Sequence, residues 1–123
     1  MDNGLFLINT HNGIRNKLPR IGINDYPAVK THLDQYWDRI STRADKGDTP
    51  YNLRNCAYLE DFCKPKIIYP NMTKYMPFVF DNKMYLTNQK CFIITGRYVA
   101  YLTAFFNSSL FKYCFRDSFP ELQ

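Results

Sequence analysis

Between positions 64 and 70 the chain reads Lys64-Pro65-Lys66-Ile67-Ile68-Tyr69-Pro70, and this short run limits what can be built around it. Proline has no N–H to give to a ladder and its ring fixes φ, so a strand carrying Ile67-Ile68-Tyr69 must lie between Pro65 and Pro70. Lys64 and Lys66 lead into that strand. Residues two apart on an extended chain point to one side, so both ammonium groups are expected to face the same partner. Two more β-prone runs follow. Phe78-Val79-Phe80 leads through a polar turn at Asp81-Asn82-Lys83 to Met84-Tyr85-Leu86-Thr87, and Cys91-Phe92-Ile93-Ile94-Thr95 comes after Asn88-Gln89-Lys90. The expected fold class is α+β: a small, twisted, mainly antiparallel sheet with flanking helices.

Upstream, Leu5-Phe6-Leu7-Ile8-Asn9-Thr10 reads as a strand, and Asn12-Gly13 as a tight type I′ turn because both residues accept positive φ. Arg15, Lys17 and Arg20 then mark a basic loop without apolar periodicity. Asn24 or Asp25 can cap a helix with Pro27 in its first turn, and the spacing of Val29, Leu33, Tyr36, Trp37 and Ile40 predicts one helix through Ser41. Residues 41–50 are polar and read as an exposed loop. Lys46-Gly47 lacks the remaining glycine and Ser/Thr positions of a phosphate-binding loop. Tyr51 to Phe62 fits no single period and reads as an irregular or short helical lead into the sheet. After Gly96, the positions of Val99, Leu102 and Phe106 predict a helix over 97–106. Ser108 can cap a second helix ended by Phe119-Pro120.

With 123 residues, 46% of them hydrophobic, the chain is expected to form one domain around one core. No apolar run approaches the roughly 20 residues of a spanning helix, and no N-terminal leader pattern is present, so the expected compartment is the cytoplasm and no membrane partner is expected. Cys56, Cys63, Cys91 and Cys114 show no Cys-x-x-Cys spacing and form no zinc pattern with His11 and His32, so reduced, buried or partly buried thiols are expected. Asn71-Met72-Thr73 and Asn107-Ser108-Ser109 match the glycosylation sequon by chance under this reading. The net charge of +5 is unevenly placed: residues 1–63 hold eight basic and eight acidic side chains, residues 64–123 eight basic and three acidic. A basic surface with 17% aromatic residues suits a polyanion that offers phosphates and stacked bases.

Four stretches in order carry a family resemblance. They are residues 4–14 (Gly4 to Ile14), residues 48–58 (Asp48-Thr49-Pro50 to Tyr58), Lys64 to Pro70, and Tyr101-Leu102-Thr103-Ala104-Phe105-Phe106-Asn107-Ser108-Ser109-Leu110-Phe111. Together they resemble the TaqI-like specificity domain, the target recognition domain of adenine-specific DNA methyltransferases and of fused restriction-modification enzymes. The resemblance implies that this piece reads a short double-stranded DNA sequence. A methyltransferase domain of the same parent chain would then bind S-adenosylmethionine and act on a flipped adenine. The chain has no Asn/Asp/Ser-Pro-Pro-Tyr/Phe tetrapeptide, the nearest string being Thr49-Pro50-Tyr51, and no glycine-rich cofactor turn. Glu60, Asp61, Lys64 and Lys66 do not fall in a nuclease order. No cofactor is therefore expected in this piece, which reads as an excised recognition module without catalytic residues.

On that reading Arg15, Lys17, Arg43, Lys46, Arg54, Lys64, Lys66, Lys74, Lys83 and Arg97 are the candidate phosphate contacts. Asn52, Asn55, Asn88 and Gln89 are candidates for adenine, whose N6 and N7 suit a bidentate amide. The alternative is a protein-interaction domain using an exposed patch of Tyr51, Tyr58, Tyr69, Tyr75 and Tyr85. A stand-alone enzyme would need a convergent nucleophile, base and orienting group, which two unlinked histidines do not supply.

Overall fold

A computed structural model describes residues 4–71 and 76–118, with side chains described as far as Phe115. The chain divides into two compact units, residues 1–59 and 60–123.

In the first unit Pro27 opens helix α1 (Pro27–Asp34), and α2 (Trp37–Thr42) follows after a break. One continuous helix was the expectation from periodicity. Instead the Tyr36 N–H closes back on the Leu33 carbonyl at 2.9 Å, and Tyr36 leaves helical geometry at φ −113°. Its own carbonyl then accepts from the N–H groups of Arg39 and Ile40 and starts α2. The Trp37 ring lies 5.4 Å from that of Tyr51. Asp34, at the end of α1, accepts from Lys30 Nζ at 2.7 Å and from the Tyr51 hydroxyl at 2.6 Å. Those bonds, Lys30 first and Tyr51 second, hold its carboxyl below the usual carboxylate range. Neither Asn24 nor Asp25 caps α1, because Ile23–Asp25 is taken up by a 3-10 turn and Tyr26 stands at the cap.

The expected strand at residues 5–10 is not formed. Leu5, Phe6 and Leu7 are exposed, and the first firm anchor is Thr10, whose hydroxyl donates to the Tyr51 carbonyl at 2.7 Å and whose carbonyl accepts from Leu53 N–H. β-propensity needs a partner strand, and this run has none among the described residues. The tight turn also lies later than expected, at Ile14–Lys17, with Asn16 at φ 64°. Gly13, at φ 76°, is needed for close approach: a Cβ there would strike the Leu18 carbonyl and sit 2.7 Å from the Arg20 nitrogen.

The interior of this unit is polar, and none of its described hydrophobic side chains is fully buried. Asn52 is its hub, 2% exposed. It accepts from the Thr49 hydroxyl at 2.6 Å and donates to the carbonyls of Ile21 at 3.0 Å and His11 at 3.4 Å. Gly47 gives its N–H to the Asn52 carbonyl, and a Cβ on it would lie 2.6 Å from both Asn12 Oδ1 and the Leu53 carbonyl. This explains the glycine after Lys46 without any phosphate loop.

The second unit holds the sheet. Central β1 (Lys66–Pro70) starts after Pro65 and ends on Pro70, as the prolines dictate. Antiparallel β2 (Val79–Asp81) and β3 (Cys91–Thr95) flank it in the order β2-β1-β3. Ile67 is paired with Phe80 and Ile94, and Tyr69 with Phe92. Residues 84–87 do not return as a strand. The Asp81 carboxylate captures the N–H groups of Lys83 at 2.7 Å and Tyr85 at 3.0 Å, and Met84 takes φ 60°, so the chain curls around that carboxylate.

Helix α3 (Val99–Asn107) contacts β1 and β2, and α4 (Ser109–Ser118) packs on α3. Val99, Leu102 and Phe106 fall on the core side, as their spacing predicts, and join Ile67, Phe78, Tyr69, Met76, Ile94 and Phe111. The Asn107 amide accepts from Phe78 N–H at 3.2 Å and donates to the Phe78 carbonyl at 2.6 Å, fastening the approach to β2 onto α3. Ser108 accepts from Phe111 N–H at 3.2 Å and so caps α4, as expected. The stop expected at Phe119-Pro120 and the sequon at Asn71-Met72-Thr73 lie wholly or partly outside the described residues. Helices together with a three-stranded antiparallel sheet make the fold α+β. No described helix is long and apolar enough to cross a membrane.

Candidate nucleic-acid interface

Burial separates the candidate residues into structural and surface groups. Lys66 is fully enclosed: its Nζ lies 2.5 Å from Asp81 Oδ2 and donates to the Phe62 carbonyl at 2.8 Å. It does not share an outward side with Lys64, which corrects the expectation from spacing. Lys64 sits in a bend before β1, its N–H bonded to the Asp61 carbonyl at 3.2 Å, so strand alternation does not extend across Pro65. Burial alone would push the Asp81 carboxyl up. Its bonds from Lys66 and from the Lys83 and Tyr85 N–H groups outweigh that and leave it below its ordinary range.

Arg43 and Asn52 are also corrected. The Arg43 guanidinium donates to the carbonyls of Pro50 at 3.1 Å and Asn52 at 2.6 Å, tying down the 43–52 loop. Asn52 spends its amide on the three interior partners given above. Asn52 is buried in its bonds, and the half-buried Arg43 has its guanidinium engaged on two carbonyls.

Of the remaining polar candidates, Asn55 is exposed and accepts from Asn12 Nδ2 at 2.6 Å. Asn88 folds its side chain onto the Lys90 N–H at 3.0 Å and gives its carbonyl to Cys91, which makes it a turn residue ahead of β3. Gln89 is exposed at the tip of that turn.

The exposed cations differ in their company. Lys64 pairs with Asp61 at 2.7 Å, Arg54 with Asp45 at 3.2 Å, and Arg20 with Asp48 at 3.3 Å. Lys46 donates to the Ser41 carbonyl at 2.9 Å. Such pairs at the surface are worth about 0–1 kcal/mol and can be exchanged for a phosphate. Lys17 is exposed, and the exposed side chains of Arg15, Lys83 and Arg97 make no ion pair among the described residues. Lys74 lies outside the described residues, as does Tyr75.

The tyrosines of the expected patch differ in exposure. Tyr69 is half-buried against Phe78 and Phe92, and Tyr51 is committed to Asp34, while Tyr58 and Tyr85 are exposed. Cys63 and Cys114 are exposed and Cys56 and Cys91 half-buried, so the thiols are less enclosed than expected. No group of three or more metal-ligating side chains occurs among the described residues.

Sequence reasoning missed two side chains. Asn12, read as half of a turn, instead accepts from Asp48 N–H at 3.0 Å and donates to Asp48 and Asn55. Asn16 was passed over between two cations, although asparagine is among the residues that turns place at positive φ.

The sequence profile of the TaqI-like C-terminal specificity domain matches residues 17–123. No curated protein and no solved structure gave a match. The matched stretch takes in α1 to α4 and the whole of the sheet, and with them all the exposed cations above except Arg15. The chain belongs to the TaqI-like C-terminal specificity domain family, the non-catalytic part that recognises the DNA target in restriction-modification systems.

Proposed function

We propose that the chain is the target recognition domain of a site-specific adenine-N6 DNA methyltransferase, alone or fused to an endonuclease. In this reading it binds double-stranded DNA beside a methyltransferase domain of the same parent chain. The observation that carries the proposal is the family match over residues 17–123. The exposed cations that make no ion pair among the described residues, Arg15, Lys83 and Arg97, and the exchangeable Lys46, Arg54 and Lys64 supply phosphate contacts. S-adenosylmethionine would be held by the catalytic domain, since this sequence has neither the glycine-rich turn nor the tetrapeptide that such chemistry uses. The proposed compartment is the cytoplasm, where DNA is at hand and four unpaired cysteines are kept reduced.

The test is selection from a randomised duplex pool, followed by titration of the enriched duplex at several salt concentrations. An enriched sequence is expected, with log K falling against log salt at a slope of about −3 to −5, as for three to five neutralised phosphates. Failure to enrich any sequence, with binding indifferent to salt, would overturn the proposal and favour a protein-interaction role.

A further inference from the structure

The loop Ile14–Leu18 presents one amide between two cations on a fixed backbone. Ile14 N–H donates to the Leu18 carbonyl at 2.8 Å, and the Ile14 carbonyl accepts from Lys17 N–H at 3.0 Å and Leu18 N–H at 2.9 Å. Gly13, packed under Leu18 where no Cβ fits, fixes the base of the loop. Arg15, Asn16 and Lys17 form its exposed tip. Asn16 is the third residue of the Ile14–Lys17 turn at φ 64°, and its amide makes no hydrogen bond among the described residues. A backbone settled in advance reduces the ordering cost of binding, and a hairpin-like tip is narrow enough for the major groove.

We propose that Asn16 is a base-reading residue that takes an adenine through N6 and N7 in the major groove, while Arg15 and Lys17 hold the adjoining phosphates. This deepens the proposed function and rests on it. It adds a residue just outside the matched 17–123 stretch. Asparagine suits adenine because its carbonyl accepts from N6 while its NH₂ donates to N7; the neighbouring cations carry no such pattern to phosphate.

The competing explanation is that asparagine is there for its backbone alone, since it adopts positive φ more readily than most residues. Asn16→Gly separates the two, because glycine takes the same φ without strain and lacks the amide. Asn16→Asp is the second variant: it keeps the tolerance for positive φ and replaces the NH₂ donor with a charge.

The experiment uses the whole protein and the duplex selected by the wild type, with each base pair exchanged in turn, and far-UV spectra to confirm folding. The wild type is expected to prefer one A·T pair over G·C by about tenfold or more, the scale of one bidentate contact. Both variants should lose that preference to within about twofold while binding a scrambled duplex as the wild type does. If both variants keep every base preference, Asn16 serves the turn only and the inference fails while DNA recognition stands. If the wild type itself selects no sequence, the recognition reading falls and this inference with it.

Discussion

Lys66 and Asp81 form an ion pair sealed from solvent, with side chains 0% and 2% exposed and Nζ 2.5 Å from Oδ2. They are register partners across β1 and β2, so the pair bolts the central strand to one edge. The remaining Asp81 bonding capacity goes to two backbone N–H groups, and Lys66 also meets the Phe62 carbonyl. A buried pair satisfied on both sides is costly to break singly, because the survivor is left charged in the interior. Lys66→Met or Asp81→Leu alone should therefore lower unfolding free energy by about 3–5 kcal/mol, whereas the double replacement should recover much of the loss. Urea titrations of the three variants measure this; additive losses would show that the two charges are not coupled.

The pair also sets an acid limit. The Asp81 carboxyl is held below its ordinary range in the folded protein, so the folded state binds that proton less readily than the unfolded chain. Its stabilising contribution is fully present above the unfolded value and is lost as pH falls through the folded one. Denaturant midpoints measured downward from pH 5 should thus decline through and below about pH 3.9, the ordinary range of an aspartate. The Lys66→Met/Asp81→Leu protein should decline less steeply over that window. Equal pH slopes for the two proteins would remove Asp81 as the cause.

Asn52 and Asn55, three positions apart in a run both were expected to serve as base readers, should separate cleanly. Asn52→Ala leaves the part-buried carbonyls of Ile21 and His11 and the Thr49 hydroxyl without this partner and should lower stability by about 1–3 kcal/mol. Asn55→Ala removes one exposed bond to Asn12 and should stay within about 0.5 kcal/mol of the wild type. Thermal unfolding of the two variants is sufficient to decide. Wild-type stability in Asn52→Ala would return that residue to the candidates for DNA contact.

The sheet was legible because its signals are local and physical: prolines bracket β1, and Val99, Leu102 and Phe106 mark the face that meets it. What escaped was decided by partners far along the chain. The run Leu5–Ile8 has strand composition but no strand beside it among the described residues, and the break at Gln35-Tyr36 interrupts no apolar pattern. Asp81 looked like a turn residue, and its second role as counter-charge to Lys66 depends on register, which composition does not encode. For the candidate site, charge and amide chemistry identified a group of side chains, but only burial removes Lys66 and Asn52 from it, and only the bonds to the Pro50 and Asn52 carbonyls show Arg43 at work in its own loop. Asn16 became visible through its backbone angle.

If the second unit contributes phosphate contacts as proposed, Lys64 rather than Lys66 should carry the effect at the entrance to β1. Lys64 is 58% exposed and its ammonium is held by Asp61, whose hydrogen bond raises its pKa, so it stays charged throughout the neutral range. A lysine ammonium is a point charge, able to hold phosphate without choosing among bases. Lys64→Ala should therefore weaken binding to a selected and a scrambled duplex by similar factors and bring the salt slope about one unit closer to zero. Adding Lys66→Met/Asp81→Leu, which removes the interior pair as a unit, should leave that slope where Lys64→Ala put it. Titrations at four or more salt concentrations, on proteins shown to be folded, give the comparison. A second step in the slope on removing Lys66 would mean that its ammonium reaches the DNA after all, and an unchanged slope for Lys64→Ala would move the phosphate contacts of this unit toward Lys83 and Arg97.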